Sequence, residues 1–263
     1  MGAQFSAGSR LSTCRRAGRL GSAGAALSLC GCDRVAQNDT TKTVLAIAEK
    51  LTSRVQRLIS PPQVLAREYA EADLSPYFKP NGTSDPDDDD YQEAAGKGFA
   101  DWQLEVGGLV ERPAKFSLAD LRALPSRTQI TRHDCVEGWS CIGKWKGAPL
   151  GELLRRVRLL PQARYLMFYC ADPMAFGNPE TKYYESIDIA EAMHPQTILA
   201  YDMNDKVLDV PHGAPLRLRV ERQLGYKMAK YLMRIEAVES FENIRGGKGG
   251  YWEDLGYAWY AGI

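Results

Sequence analysis

The sequence predicts an α+β fold, a mixed β-sheet core with helices and long loops, and three observations predict it. From Trp102 onward, the segments "WQLEVGGLV", "RTQITRHDCV", "RYLMFYC", "TILAYDM" and "PLRLRVE" have the length and apolar content of strands and are separated by Gly and Pro turns. Two helical patterns, "SLADLRAL" and "GAPLGELLRRV", interrupt them, and the mixture of the two element types is that of an α+β domain with functional residues on its connecting loops. At 263 residues, 44% hydrophobic and 25% charged, the chain is long and apolar enough to bury a substantial core.

The elements follow in order. Residues 1–32 contain no Asp or Glu, carry Arg10, Arg15, Arg16 and Arg19, and run into the weakly apolar "LGSAGAALSLCGC". A charged region, a short apolar stretch and small residues make an export leader, too short and Gly-rich for a membrane span. Arg15-Arg16 points to twin-arginine export, and "LCGC" to a lipoprotein box with Cys32 as the acylated residue, so the expected location is the periplasm with a possible lipid anchor. "MGAQFS" also fits a myristoylation pattern and competes for the same residues. Residues 33–75 are expected to form a helical extension, since Val44, Leu45, Ile47, Leu51, Val55, Leu58 and Ile59 recur at three and four before Pro61-Pro62 stops the pattern. Asp87 to Asp90 are expected on a solvated loop, because they lack the alternation of a calcium site. Residues 76–263 form the main domain. In it Ser117, with Asp120 three residues on, is the expected N-cap of the first helix, and the Gly-rich, aromatic "IRGGKGGYWEDLGYAWYAGI" forms a loop and a covering tail.

Lys plus Arg equals Asp plus Glu at 33 each, so no global field draws the protein to nucleic acid, and an anionic ligand has to be held locally. Outside the leader the cysteines are Cys135, Cys141 and Cys170. Three cannot all pair, so at least one thiol is free or metal-bound. His133, His194 and His212 lack the paired spacing of a zinc site.

Cys135 lies in "ITRHDCVEGWS", among charges and at the end of a strand pattern. A buried core cysteine is the ordinary reading of a lone thiol. Arg132 favours the thiolate, whereas Asp134 and Glu137 oppose it, so charge does not decide between metal ligand and nucleophile. A cysteine hydrolase needs a dedicated His partner, and neither His194 nor His212 carries a recognisable pattern for it, which favours a metal ligand.

"TRHDCVEGWSCIGKWKGAPLGELL" resembles the molybdenum-binding core of the sulfite oxidase-like molybdopterin oxidoreductases. "YYESI", "HGAPLRLRV" and "GYKMAKYLMRIE" are similar to further elements of that family and occur in its order. The resemblance implies the sulfite oxidase molybdenum-domain fold, a molybdopterin cofactor and a molybdenum ion ligated by Cys135. It further implies cofactor contacts from Asn81, Ser186, His212, Arg217, Lys227 and Lys230, whose cations suit a fixed anion. Tyr183 and Arg132 are the candidates for orienting a small-molecule substrate. Because Arg217 and Arg219 alternate on a strand, one of them is expected to be solvated, and the family pattern selects Arg217 as the functional one; on chemistry alone, Lys227 and Lys230 would be a surface pair.

The implied activity is two-electron oxygen-atom transfer, either sulfoxide reduction or sulfite-type oxidation. "VEGWS" after Cys135 is closer to the bacterial exported branch that includes the methionine-sulfoxide reductase catalytic subunit, and Glu137 disfavours a sulfite dianion. The absence of Cys-x-x-Cys-His leaves electron delivery to a partner, a cytochrome on family grounds. The alternatives are a catalytically inactive molybdopterin-binding partner protein and a metal-free cysteine hydrolase.

Overall fold

The computed structural model describes residues 64–174 and 181–263, within one compact unit. The expected leader, Cys32 and the amphipathic pattern of residues 43–59 lie outside the described residues. Residues 64–75, the end of the expected helical extension, are extended apart from a 3-10 turn at Glu71–Asp73, with Glu68 bridged to Thr131.

The described chain forms two sheets, the first mixed and the second antiparallel. The first has the order β2-β1-β10-β5-β6, built from β1 (Gln103–Gly108), β2 (Ala114–Ser117), β5 (Tyr165–Pro173), β6 (Lys182–Asp188) and β10 (Leu232–Val238). Its β1–β10 pair is parallel and the others are antiparallel. The second runs β3 (Arg127–Asp134), β4 (Ser140–Pro149), β7 (Ile198–Met203) and β8 (Lys206–Val207), with β9 (Arg217–Arg219) also paired to β7. The predicted strands are all present, and β4 and β6 join them where the sequence is too rich in Gly, Lys, Glu and Ser to show a strand pattern by itself.

Helices are short. α1 (Asp89–Gly96) starts in the acidic run, where the Asp88 side chain accepts from Tyr91 N and salt-bridges Lys182. The expectation of a solvated loop there is corrected: carboxylates suit the unpaired N–H groups and positive dipole of a helix start. α2 (Leu118–Arg122) carries the expected Ser117 cap, closed into a capping box by Asp120. α3 (Leu150–Val157) turns Leu150, Leu153, Leu154 and Val157 into the core, the spacing its sequence shows. The main core packs these against Leu104, Leu166, Phe168, Leu218 and Ile235 of both sheets.

Candidate functional site

β3 alternates strictly over its second half: Gln129, Thr131 and His133 point inward, and Arg132 points out. The strand then ends in a tight turn that presents Cys135. Its backbone N–H donates to Trp139 O at 2.9 Å, Gly138 N donates back to Cys135 O at 3.0 Å, and Gly138 holds the positive φ that the turn requires. Cys135 is half-buried and free, and burial pushes its thiol pKa up. Arg132 does not offset this, because its guanidinium donates to Asp134 at 2.9 Å across a different groove, lined by Tyr69 and Glu221. The expected help from Arg132, both as thiolate stabiliser and as substrate contact, is therefore corrected: strand alternation turns it to the opposite face.

Cys135 opens onto a cleft. One wall carries Val136 and Glu137; others carry Asn81 to Thr83, Asp172 with Met174 and Tyr183, Tyr226 with Met228 and Lys230, and finally Trp252 and Tyr257. The aromatic and thioether surfaces make it apolar, and the polar groups are few and convergent. Tyr183 is buried, and its hydroxyl donates to Tyr226 O, so its ring rather than its hydroxyl meets the cleft. The Asn81 amide oxygen is buried without a hydrogen-bond partner. Glu137 stays ionised, its pKa lowered by the bond from Trp139 Nε1 at 2.9 Å and by Lys79.

Behind Cys135 lies a set of buried cations. Arg217 and Arg219 are both fully buried, so neither is the solvated arginine expected from alternation; the three-residue strand β9 is covered on both faces. Arg219 is matched by Glu221 at 2.7 Å and donates to His133 Nδ1 at 3.0 Å. Burial and the nearby cations hold His133 neutral, and its Nε2 has no partner. Arg217 donates to His212 O at 2.9 Å, but its Nε and Nη2 are unpartnered, as is the indole Nε1 of Trp145 under both guanidiniums. Lys230 donates only to the carbonyls of Thr83 and Pro211; burial and Arg217 push it down to about 7. His212 spans Asp209 and the Phe78 carbonyl, and a Cβ at Gly213 would come within 2.9 Å of Lys230 and 3.2 Å of Arg217.

Buried donors left unpaired around uncompensated positive charge cost several kcal/mol unless an anion meets them. The residues present thus fit a phosphate-bearing cofactor at Arg217, Lys230 and His212, in reach of the cleft that Cys135 lines.

Two expected cofactor residues sit otherwise. Lys227 is fully buried and donates to Glu185 at 2.5 Å and Glu253 at 2.6 Å. Ser186 donates to Gly249 O and accepts from Trp259 Nε1 at 2.8 Å. Neither lines the cleft; both hold the C-terminal segment, whose rings cover the domain as the sequence suggests. The surface-pair reading of Lys227 and Lys230 fails because both are buried. Asp172 and Met228 line the cleft without a local sequence pattern to mark them, and only the Asp-Pro end of a strand hints at the first.

A family profile described as "Oxidoreductase molybdopterin binding domain" matches residues 93–243. The chain is 37% identical over 234 residues to the putative protein-methionine-sulfoxide reductase subunit YedZ1 of Azospira oryzae, covering 89% of this chain and 81% of that protein. It is 38% identical to the protein-methionine-sulfoxide reductase catalytic subunit MsrP of Xanthomonas axonopodis pv. citri, over 59% of this chain and only 48% of that one. Among solved structures, the sulfane dehydrogenase SoxCD of Paracoccus pantotrophus aligns with 54% of this chain and 40% of its own at a TM-score of 0.47 and 26% identity. The profile spans more than half of the chain and takes in Cys135 and the buried cations behind it, so the chain belongs to the molybdopterin-binding oxidoreductase family.

Proposed function

We propose that this protein reduces sulfoxides by two-electron oxygen-atom transfer, with Cys135 as the protein ligand of a molybdenum held by molybdopterin. The single observation that carries the reading is the pairing of a thiol at an open, largely apolar cleft with unmatched buried cations behind it. Arg217, Lys230 and His212 hold the anionic end of the cofactor, Asn81 contacts its ring system, and Cys135 meets the metal as a soft thiolate. When bound, that group supplies reversible two-electron oxygen-atom transfer.

The cleft selects the substrate. Met174, Met228, Trp252 and Tyr257 offer apolar and polarizable surface to a thioether-like group, and ionised Glu137 at the lip repels a dianion. A neutral sulfoxide therefore fits better than sulfite. The names of the relatives from Azospira and Xanthomonas support methionine sulfoxide as the substrate class. Electrons arrive from a separate redox partner, for which a cytochrome is the proposal; the leader expected of residues 1–32 supports a periplasmic location, with Cys32 as the proposed lipid anchor.

The test is molybdenum and pterin analysis of protein made in a pterin-competent host, followed by turnover of methionine sulfoxide with an artificial reductant. Cys135→Ser is expected to keep the fold and lower turnover by at least about 100-fold, the scale of losing a directly reacting group. Undiminished turnover in that variant refutes the ligand assignment. Pterin without redox turnover in the parent protein would favour the inactive binding partner, and a trapped acyl group on Cys135 the cysteine hydrolase.

A further inference from the structure

Asp172 is the one carboxylate on the cleft wall that is both buried and incompletely bonded among the described residues. It stands near the end of β5, where the pairing with β6 shifts register between Tyr169 and Pro173. Only 5% of its surface is exposed, and its Oδ1 has no hydrogen-bond partner, yet it lines the same cleft as Cys135, Met174 and Met228. A buried carboxylate with a free oxygen is costly as an anion and far cheaper as an acid. The groups around it are Lys230 and Tyr231 before β10, Lys182 and Tyr183 on β6, Cys170 on β5 itself, Tyr91 on α1 and Thr83. Burial outweighs the two lysines and Thr83, and its pKa is raised to about 6.

The reaction proposed above needs such a group. One sulfoxide, two protons and two electrons give one thioether and one water: the sulfur–oxygen bond breaks, two O–H bonds form, sulfur gains two electrons and the oxygen leaves as water. The external reductant supplies the electrons, which the cofactor, held by Cys135, Arg217, Lys230 and His212, would relay. Four other ionisable side chains on the cleft wall suit proton donation poorly: Glu137 is held ionised, the Tyr183 hydroxyl is pushed well above its usual range, the Tyr226 hydroxyl donates to Ala258 O, and Lys230 is bound to carbonyls.

We propose that Asp172 is the general acid of this site, delivering one of the two protons to the oxygen lost from sulfur, with solvent supplying the other. The assignment rests on the sulfoxide-reductase reading. As a proton donor placed at the cleft, it adds a factor on the order of 100 or more to turnover.

The experiment uses the molybdenum-loaded full chain, with methionine sulfoxide as substrate and a reduced viologen as electron source. In the parent protein, turnover is expected to fall as pH rises through about 6, as the acid loses its proton. Asp172→Asn should lower turnover about 100-fold and abolish that limb, and Asp172→Glu should restore part of both. A readout independent of turnover is the carbonyl band of the protonated carboxyl in infrared difference spectra of the metal-free protein. It should titrate near pH 6 and vanish in Asp172→Asn. Molybdenum-replete parent protein inactive on sulfoxides at every pH overturns the function and the acid role together. Active parent protein with an unchanged pH profile in Asp172→Asn overturns the acid role alone. Loss of pterin from Asp172→Asn would make Asp172 a cofactor anchor and likewise overturn it.

Discussion

Two buried cation sites in this molecule are built from the same kinds of residue and finished in opposite ways. Lys227 is enclosed by Glu185 and Glu253, both within 2.6 Å of its ammonium. Burial pulls its pKa down, but the two carboxylates outweigh that and raise it overall. Two acids on one lysine leave one carboxyl in excess, and burial with Glu253 alongside pushes Glu185 well above the usual range, so the cluster closes nearly neutral. Arg217 and Lys230 have no carboxylate at hydrogen-bonding distance among the described residues; burial and Arg219 push Arg217 down to about 9, and Lys230 lies near 7. The first site has its cation matched within the chain, although Glu253 Oε2 keeps no hydrogen-bond partner, and it ties the C-terminal segment to β6. The second is complete only with an anion. The difference separates a buried cation whose charge the chain itself balances from buried cations that it leaves without a carboxylate.

The largest effect that would break this comparison is at the matched site. Lys227→Met leaves two buried carboxylates without their cation and should destabilise the protein by about 3–5 kcal/mol in chemical unfolding. If the variant instead unfolds like the parent, Lys227 is not the structural member of the pair. A smaller effect sharpens the unmatched site. Sulfate, as a stand-in for the cofactor's anionic end, should stabilise the metal-free protein by up to about 2–3 kcal/mol at saturating concentration, read as a rise in melting temperature. Lys230, with its pKa lowered to about 7, is a cation below that pH and neutral above it. The sulfate effect should therefore be full near pH 6 and shrink by about pH 8, and Arg217→Met should remove most of it at both. A melting curve indifferent to sulfate would mean that these donors meet no anion. The smallest effect is a control away from both sites: Ser117→Ala removes the cap of α2 and should cost about 1 kcal/mol without touching anion binding.

The legible part of the site was the part written locally. The turn after β3 that exposes Cys135, the cap at Ser117 and the inward stripe of α3 each depend on residues within a few positions of one another. Of the residues the resemblance implies for the cofactor, Asn81 and Lys230 line the cleft, and Asn81 and Arg217 keep buried polar atoms without a partner. Arg132 is near Cys135 in sequence but faces a different groove, because successive side chains of a strand turn to opposite faces.

By itself, then, the sequence determined the α+β class, the family and the cysteine presented at a strand end, because strand and helix periods and short turn chemistry act over a few residues. Only the tertiary structure decided which cations are matched. Glu253 reaches Lys227 from 26 residues away, and Lys230 meets the Thr83 carbonyl across 147. It also buried both arginines of β9 and brought Asp172 to the wall that Cys135 shares. Whether a charge is paired, exposed or left waiting depends on what packs over it, and that is set by strand order and burial rather than by any local pattern.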